Sequence, residues 1–141
     1  MKRFRGVLCP IGKASSKFPM VQGIYQPHPI LVPREFVPSL RKLVGKPLKY
    51  QKNAGHFNAR NIGVIDRVYI HGESVVIEGE LHKRLRAPAK CLGLSFTLSD
   101  CIVAGVRDRV WSLQSANPSS VLLARNHKVA FGTDTSFEVV K

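Results

Sequence analysis

From Ile62 onward the apolar residues recur at every second position, and turn residues cut each run short of helix length, so this part of the chain is restricted to short strands. Ile62, Val64, Val68 and Ile70 fall on one face, interrupted by Asp66. His71-Gly72-Glu73-Ser74 reads as a turn; Val75, Ile77 and Leu81 then alternate with Val76, Glu78 and Glu80, completing a hairpin. Residues 91–100 repeat the pattern, with Leu92, Leu94, Phe96 and Leu98 on one side and Gly93, Ser95, Thr97 and Ser99 on the other. Further apolar runs at 102–106, 110–113, 121–124, 128–131 and 137–140 read as separate strands. Before Ile62 the first 32 residues, rich in Gly and Pro, suggest edge strands and loops, including Gly6-Val7-Leu8-Cys9 and Ile30-Leu31-Val32. Residues 38–47 are the helix candidate: Pro38 suits a first turn, Leu40, Leu43 and Val44 form a stripe, and Gly45 with Pro47 is a stop. The expected fold is mainly β, a small closed or nearly closed β-barrel of about eight short strands with one or two short peripheral helices.

A chain of 141 residues suffices for one domain spanning 1–141 with a single core. Its 22 Lys and Arg against 9 Asp and Glu leave +13, which calls for an acidic partner: nucleic acid, an acidic protein surface or an anionic membrane. Cys9, Cys91 and Cys101 fit neither an even disulfide framework nor a zinc spacing, so buried or idle thiols in a reducing compartment are expected, with no metal and no cofactor. Pro10, Gly12 and Lys13 interrupt the basic N-terminal stretch before it reaches signal-peptide length, and no window is apolar enough to span a membrane. The expectation is a soluble, intracellular chain with no membrane partner.

Nucleophilic hydrolysis needs a hydroxyl or thiol, a base for its proton and donors for an oxyanion. Ser95 qualifies by position, on the small polar side of its strand beside Gly93, where the missing Cβ would leave room for a substrate backbone. His56, in the stretch Gly55-His56-Phe57, is a base candidate 39 residues earlier, so the two could meet only in space. By residue pattern alone, both read first as ordinary polar residues, at a strand face and a strand mouth.

From Lys46 to the end the chain resembles the phage prohead protease families, relatives of the herpesvirus assemblins. The resemblance is carried by His56, Ile62-Gly63-Val64-Ile65-Asp66, Glu78-Gly79-Glu80-Leu81 and Leu92-Gly93-Leu94-Ser95-Phe96, in that order. Downstream, Ala116-Asn117-Pro118 and Thr135-Ser136-Phe137 are similar to that family's closing elements. It covers about two thirds of the chain. The resemblance implies a small β-barrel with peripheral helices, Ser95 as nucleophile and His56 as general base, cleaving capsid and scaffold proteins inside an immature head. The group that would orient His56 is less clear: Val110-Trp111-Ser112-Leu113 lacks the family's acidic residue, which leaves Asp108, with Asp66 and His127 as other candidates.

Two basic clusters accompany these motifs: Lys42, Lys46, Lys49, Lys52 and Arg60 around His56, and Lys83, Arg84, Arg86 and Lys90 before Ser95. They read either as solvated loops or as docking surfaces for acidic capsid or scaffold segments. Three functions follow as expectations. The first is a serine-type prohead maturation protease using Ser95, His56 and Asp108, acting on the major capsid or scaffold protein in the host cytoplasm and the virion. The second is a catalytically silent capsid cement or decoration protein on the same fold, with homo-oligomer formation open to either. The third is a basic nucleic-acid-binding barrel stacking bases on Tyr50, Phe57 and Tyr69.

Overall fold

The computed structural model describes residues 2–16, 20–21, 24–25, 29–51, 58–85 and 89–140. These residues are mainly β. The strands are β1 (Lys2–Pro10), β2 (Met20–Val21), β3 (Ile24–Tyr25), β4 (Ile30–Leu31), β5 (Pro47–Tyr50), β6 (Arg60–His71), β7 (Ser74–Leu81), β8 (Leu92–Arg107), β9 (Val110–Arg125) and β10 (Glu138–Val140). They form one sheet in the order β10-β1-β7-β6-β5-β9-β8-β2-β3, with β4 added to β9.

The β6–β7 hairpin turns at Gly72, whose φ of 61° suits a residue without Cβ. The period-two reading holds for β7 except at Val76, which is buried between Val75 and Ile77, and for the first half of β8, where Leu92, Leu94, Phe96 and Leu98 are all buried. In β6 it does not. The register of β6 shifts against β5 between Leu48 and Lys49, and against β7 between Ile65 and Arg67, so Ile62, Ile65 and Val68 are buried while Val64 and Ile70 are only partly so.

Strand segmentation also differs from expectation. The runs at 91–100 and 102–106 are one strand of 16 residues, and those at 110–113 and 121–124 are another. Pro118 lies inside β9 opposite Leu98, where it has no N–H to give the ladder, and the register slips there rather than ending the strand. Residues 128–131 are turn rather than strand. β1 pairs with β7 along its length but with β10 only at Arg3–Arg5, so Gly6–Cys9 has a ladder on one side alone, and Ser136 meets Val7 on the other.

The helical segment begins earlier than residues 38–47. It is a single helical turn, α1 (Val37–Leu40), between two 3₁₀ turns, Arg34–Phe36 and Arg41–Leu43, and it ends before Gly45, at φ 88°. Phe36, Val37, Leu40 and Leu43 all point into the core, and Ser39 Oγ accepts the N–H of Ala116 at 3.2 Å, tying α1 to β9.

The stretch around Thr135 and Ser136 lies between β1 and β8. Leu94 N–H donates to Thr135 Oγ1 (3.1 Å), Val7 N–H donates to Ser136 Oγ (3.2 Å), and Ser136 N–H donates to the Val7 carbonyl (3.1 Å). Beside it the Phe4 and Phe137 rings stack with centroids 5.8 Å apart. The interior that results is wholly apolar at its centre, with Leu8, Phe36, Leu40, Leu48, Ile65, Ile77 and Leu94 almost fully excluded from solvent.

Candidate active site

Ser95 is the fourth residue of β8 and directly faces Leu122 of β9. Alternation along β8 puts it opposite Leu94 and Phe96, on the face away from the main core. It is partly exposed, and its hydroxyl has no hydrogen-bond partner among the described residues. On the main-core side of the strand is a niche of about 10 Å³, lined by Ile30, Leu94, Phe96, Ala130 and Phe131 and reached by Ser95. That is room for about one water molecule.

The face around Ser95 is a small second core. Leu122, Ala124 and Val129 are buried there, and Ala59 packs against them. β5 flanks the same spot, with Lys49 beside Leu122 and Tyr50 beside Leu123, and Gln51 N–H donates to the Leu123 carbonyl at 3.1 Å. Lys49, Leu122 and Ser95 thus form one row across three strands, about 10 Å from end to end. His56 itself lies outside the described residues, as do Lys52, Phe57 and Arg86.

Gly93 does not leave space for a substrate. A Cβ at that position would come within 2.5 Å of Thr135 Oγ1 and 3.1 Å of Asn126 Cα, so the chain's own 126–135 segment fills the room. The glycine is required by internal packing, with Thr135 Oγ1 donating to the Gly132 carbonyl (2.8 Å) while accepting from Leu94.

The candidate third groups separate clearly. Asp108 is at the tip of the β8–β9 hairpin, exposed, with φ 52°, between Arg107 and Val110, which pair. Twelve residues of strand, roughly 40 Å if fully extended, separate it from Ser95, so the structure does not bring the two together. Asp66 is held by Arg3 in a two-pronged ion pair, both contacts 2.9 Å, and this hydrogen bonding keeps its carboxyl below the ordinary carboxylate range. His127 follows the end of β9 that pairs with the start of β8, in the 3₁₀ turn Asn126–Lys128, so it is the one of the three at Ser95's end of the hairpin.

The basic clusters are dispersed in different ways. Lys42 Nζ donates to Asn117 Oδ1 at 3.2 Å, away from Ser95, and Arg60 lies 6.0 Å from the centre of the Tyr50 ring. Tyr69 is occupied by its own neighbours: its hydroxyl donates to Glu78, which with burial raises its pKa, and Arg67 covers its ring at 4.6 Å. Cys9 is buried, which pushes its thiol pKa up; Cys101 is raised by the same cause to a lesser depth, and Cys91 is exposed. Among the described residues no three His, Cys, Asp or Glu side chains gather as metal ligands, and no helix is long and apolar enough to cross a membrane.

Sequence reasoning missed two features that depend on distant residues meeting. Thr135 and Ser136 act through hydroxyls bonded to β8 and β1, and nothing local marks them as connectors. Lys2 lies beside Lys83 and Arg84 across a shared cleft, although the sequence separates them by about eighty positions. No family model, curated protein or solved structure matches the chain.

Proposed function

We propose that this chain is a phage head assembly protein on a prohead-protease-like barrel, acting as a serine-type maturation protease with Ser95 as nucleophile and His56 as base. The observation that carries the reading is the convergence at Leu122 and Leu123. Ser95 stands beside Leu122 with a free, partly exposed hydroxyl, and the residues on both sides of the His56 segment, Gln51 and Ala59, are fixed to the same patch. Three peptide units connect Ala59 to His56, a reach of at most about 11 Å. In this reading His56 takes the Ser95 proton as Oγ attacks the scissile carbonyl, then returns it to the leaving amine. His127 replaces Asp108 as the group proposed to orient that imidazole. What supports a nearly closed barrel in this reading is that the hydroxyls of Thr135 and Ser136 bond to β8 and β1, where ladder pairing is lacking.

A second reading, a silent capsid cement protein, draws on the outer half of the β8–β9 hairpin. Ile102 and Val106 are 54% and 61% exposed there, as suits a strand covered by a neighbour in an assembly. The two separate in one experiment. A fluorophosphonate probe should add its mass to the peptide containing Ser95, and both Ser95→Ala and His56→Ala should abolish labelling without lowering Tm. Co-expression with the capsid protein should then shorten that protein, again only with Ser95 intact. No labelling, full-length capsid protein and stable co-purification would leave the cement role. Salt-sensitive binding to oligonucleotide without capsid association would replace both.

A further inference from the structure

The end of the sheet where β1 begins and β7 finishes holds a cleft of about 670 Å³, within the range of sites that take peptide-sized or small-molecule ligands. Lys2, His82, Lys83 and Arg84 supply its polar rim, and Leu81, Leu85 and Val139 its apolar floor. Val139 is among the few large apolar side chains left exposed, at 37%.

Three cations gather at this end of the molecule. The ion pairs among the described residues join Arg3 to Asp66, Arg5 to Glu138, Lys13 to Asp134, Arg34 to Glu73 and Arg67 to Glu78. None of these uses Lys2, Lys83 or Arg84, so the three cations on the rim have no acidic partner among the described residues. β10 is the last strand of the sheet on this side, and no further described strand walls off the cleft. Unneutralised cations around an apolar floor attract an anionic ligand that also has an apolar part.

We propose that this cleft docks an acidic peptide segment, its carboxylates at Lys2, Lys83 and Arg84 and one apolar side chain on Leu85 and Val139. A nucleic acid is the poorer match, because the described lining residues include no Phe, Tyr or Trp on which a base could stack, and an apolar floor gives a phosphate nothing. The proposal deepens the reading of an acidic capsid or scaffold partner and rests on it for the partner's source, but it uses none of the Ser95 chemistry.

The test is fluorescence anisotropy with a labelled peptide in which acidic residues flank a single leucine. The double variant Lys83→Glu with Arg84→Glu, both exposed and outside the strands, should bind at least tenfold more weakly, and so should Val139→Asp. Replacing the leucine of the peptide by serine should weaken binding to the unmodified protein by a similar factor. Arg107→Glu with Arg109→Glu makes the same charge change at the hairpin tip and should leave the affinity within twofold. Ser95→Ala should bind as well as the unmodified protein, so loss of cleavage and loss of docking remain separate results. Equal weakening by the tip variant would overturn the proposal, as would indifference to the leucine. A thymidine oligonucleotide of equal charge binding this cleft more tightly than the peptide would overturn it too.

Discussion

Strands β8 and β9 form one hairpin that passes through two environments. In residues 94–98 of β8 the odd-even alternation becomes an alternation of buried and half-buried, and the facing part of β9, residues 120–124, is buried throughout. In residues 100–107 the same strand, with the same partner, has no fully buried residue. Pairing continues to Arg107 and Val110, but the register shifts three times between Ser99 and Gly105, and Asp100 adopts a positive φ of 51°. The inner half is fixed by what lies beneath it, whereas the outer half of β8 depends on its ladder. A strand can therefore persist well beyond its core, while the cost of altering it cannot.

Matched substitutions test that contrast. Leu94→Ala, at a site with no exposure, should cost about 2–5 kcal/mol by chemical denaturation, against less than about 0.5 kcal/mol for Ile102→Ala or Val106→Ala. A large loss from Val106→Ala in the isolated protein would show that the outer half is buried against something. Glycines give the next contrast. A Cβ on Gly79 meets the Val64 carbonyl and lies 2.7 Å from the Phe4 ring, so Gly79→Ala should cost roughly 1–3 kcal/mol. Gly105 has no neighbour in the way, and Gly105→Ala should be neutral or stabilise by up to about 1 kcal/mol.

Hydroxyls give a smaller difference. Thr135→Val leaves the buried Leu94 N–H without its acceptor and should cost about 1–3 kcal/mol, while Ser99→Ala removes only an exposed bond to the Asn117 carbonyl and should change stability by less than about 0.5 kcal/mol. The smallest effect is a pH dependence outside the hairpin altogether. Arg3 lowers the Asp66 pKa, so the pair stabilises the fold above the ordinary aspartate value of about 3.9 and loses that contribution as pH falls through the depressed native value. The Tm difference between the unmodified protein and Asp66→Asn should be constant from neutral pH down to the ordinary carboxylate range and close below it. Because both side chains are largely solvated, that difference should be slight.

The same contrast explains what was legible in the sequence. Leu92 to Leu98 could be read because burial on one face imposes a period of two, and the turn at Gly72 because few residues other than glycine take its backbone angles. The joining of 91–100 to 102–106 was not legible: Asp100 resembles a terminator, and only the partner strand shows that it sits in a bulge. Pro118 misleads for the same reason. At the site, alternation correctly put Ser95 on the face away from Leu94, but the role of Gly93 depended on Thr135, some forty residues later, and the remoteness of Asp108 on how far two strands run together. Charge composition could not show that Lys2, Lys83 and Arg84 line one cleft, since they become neighbours only after β1 and β7 pair.

Thr135 and Ser136 lace the first strand to the eighth with three hydrogen bonds, where a ladder would have used many. Thermal opening should therefore begin along that line, prising the two flanks apart before either unravels. Reagents or chaperones that reach the greasy interior would gain entry there, close to Ser95, and the loss of two small hydroxyls would loosen the whole sheet.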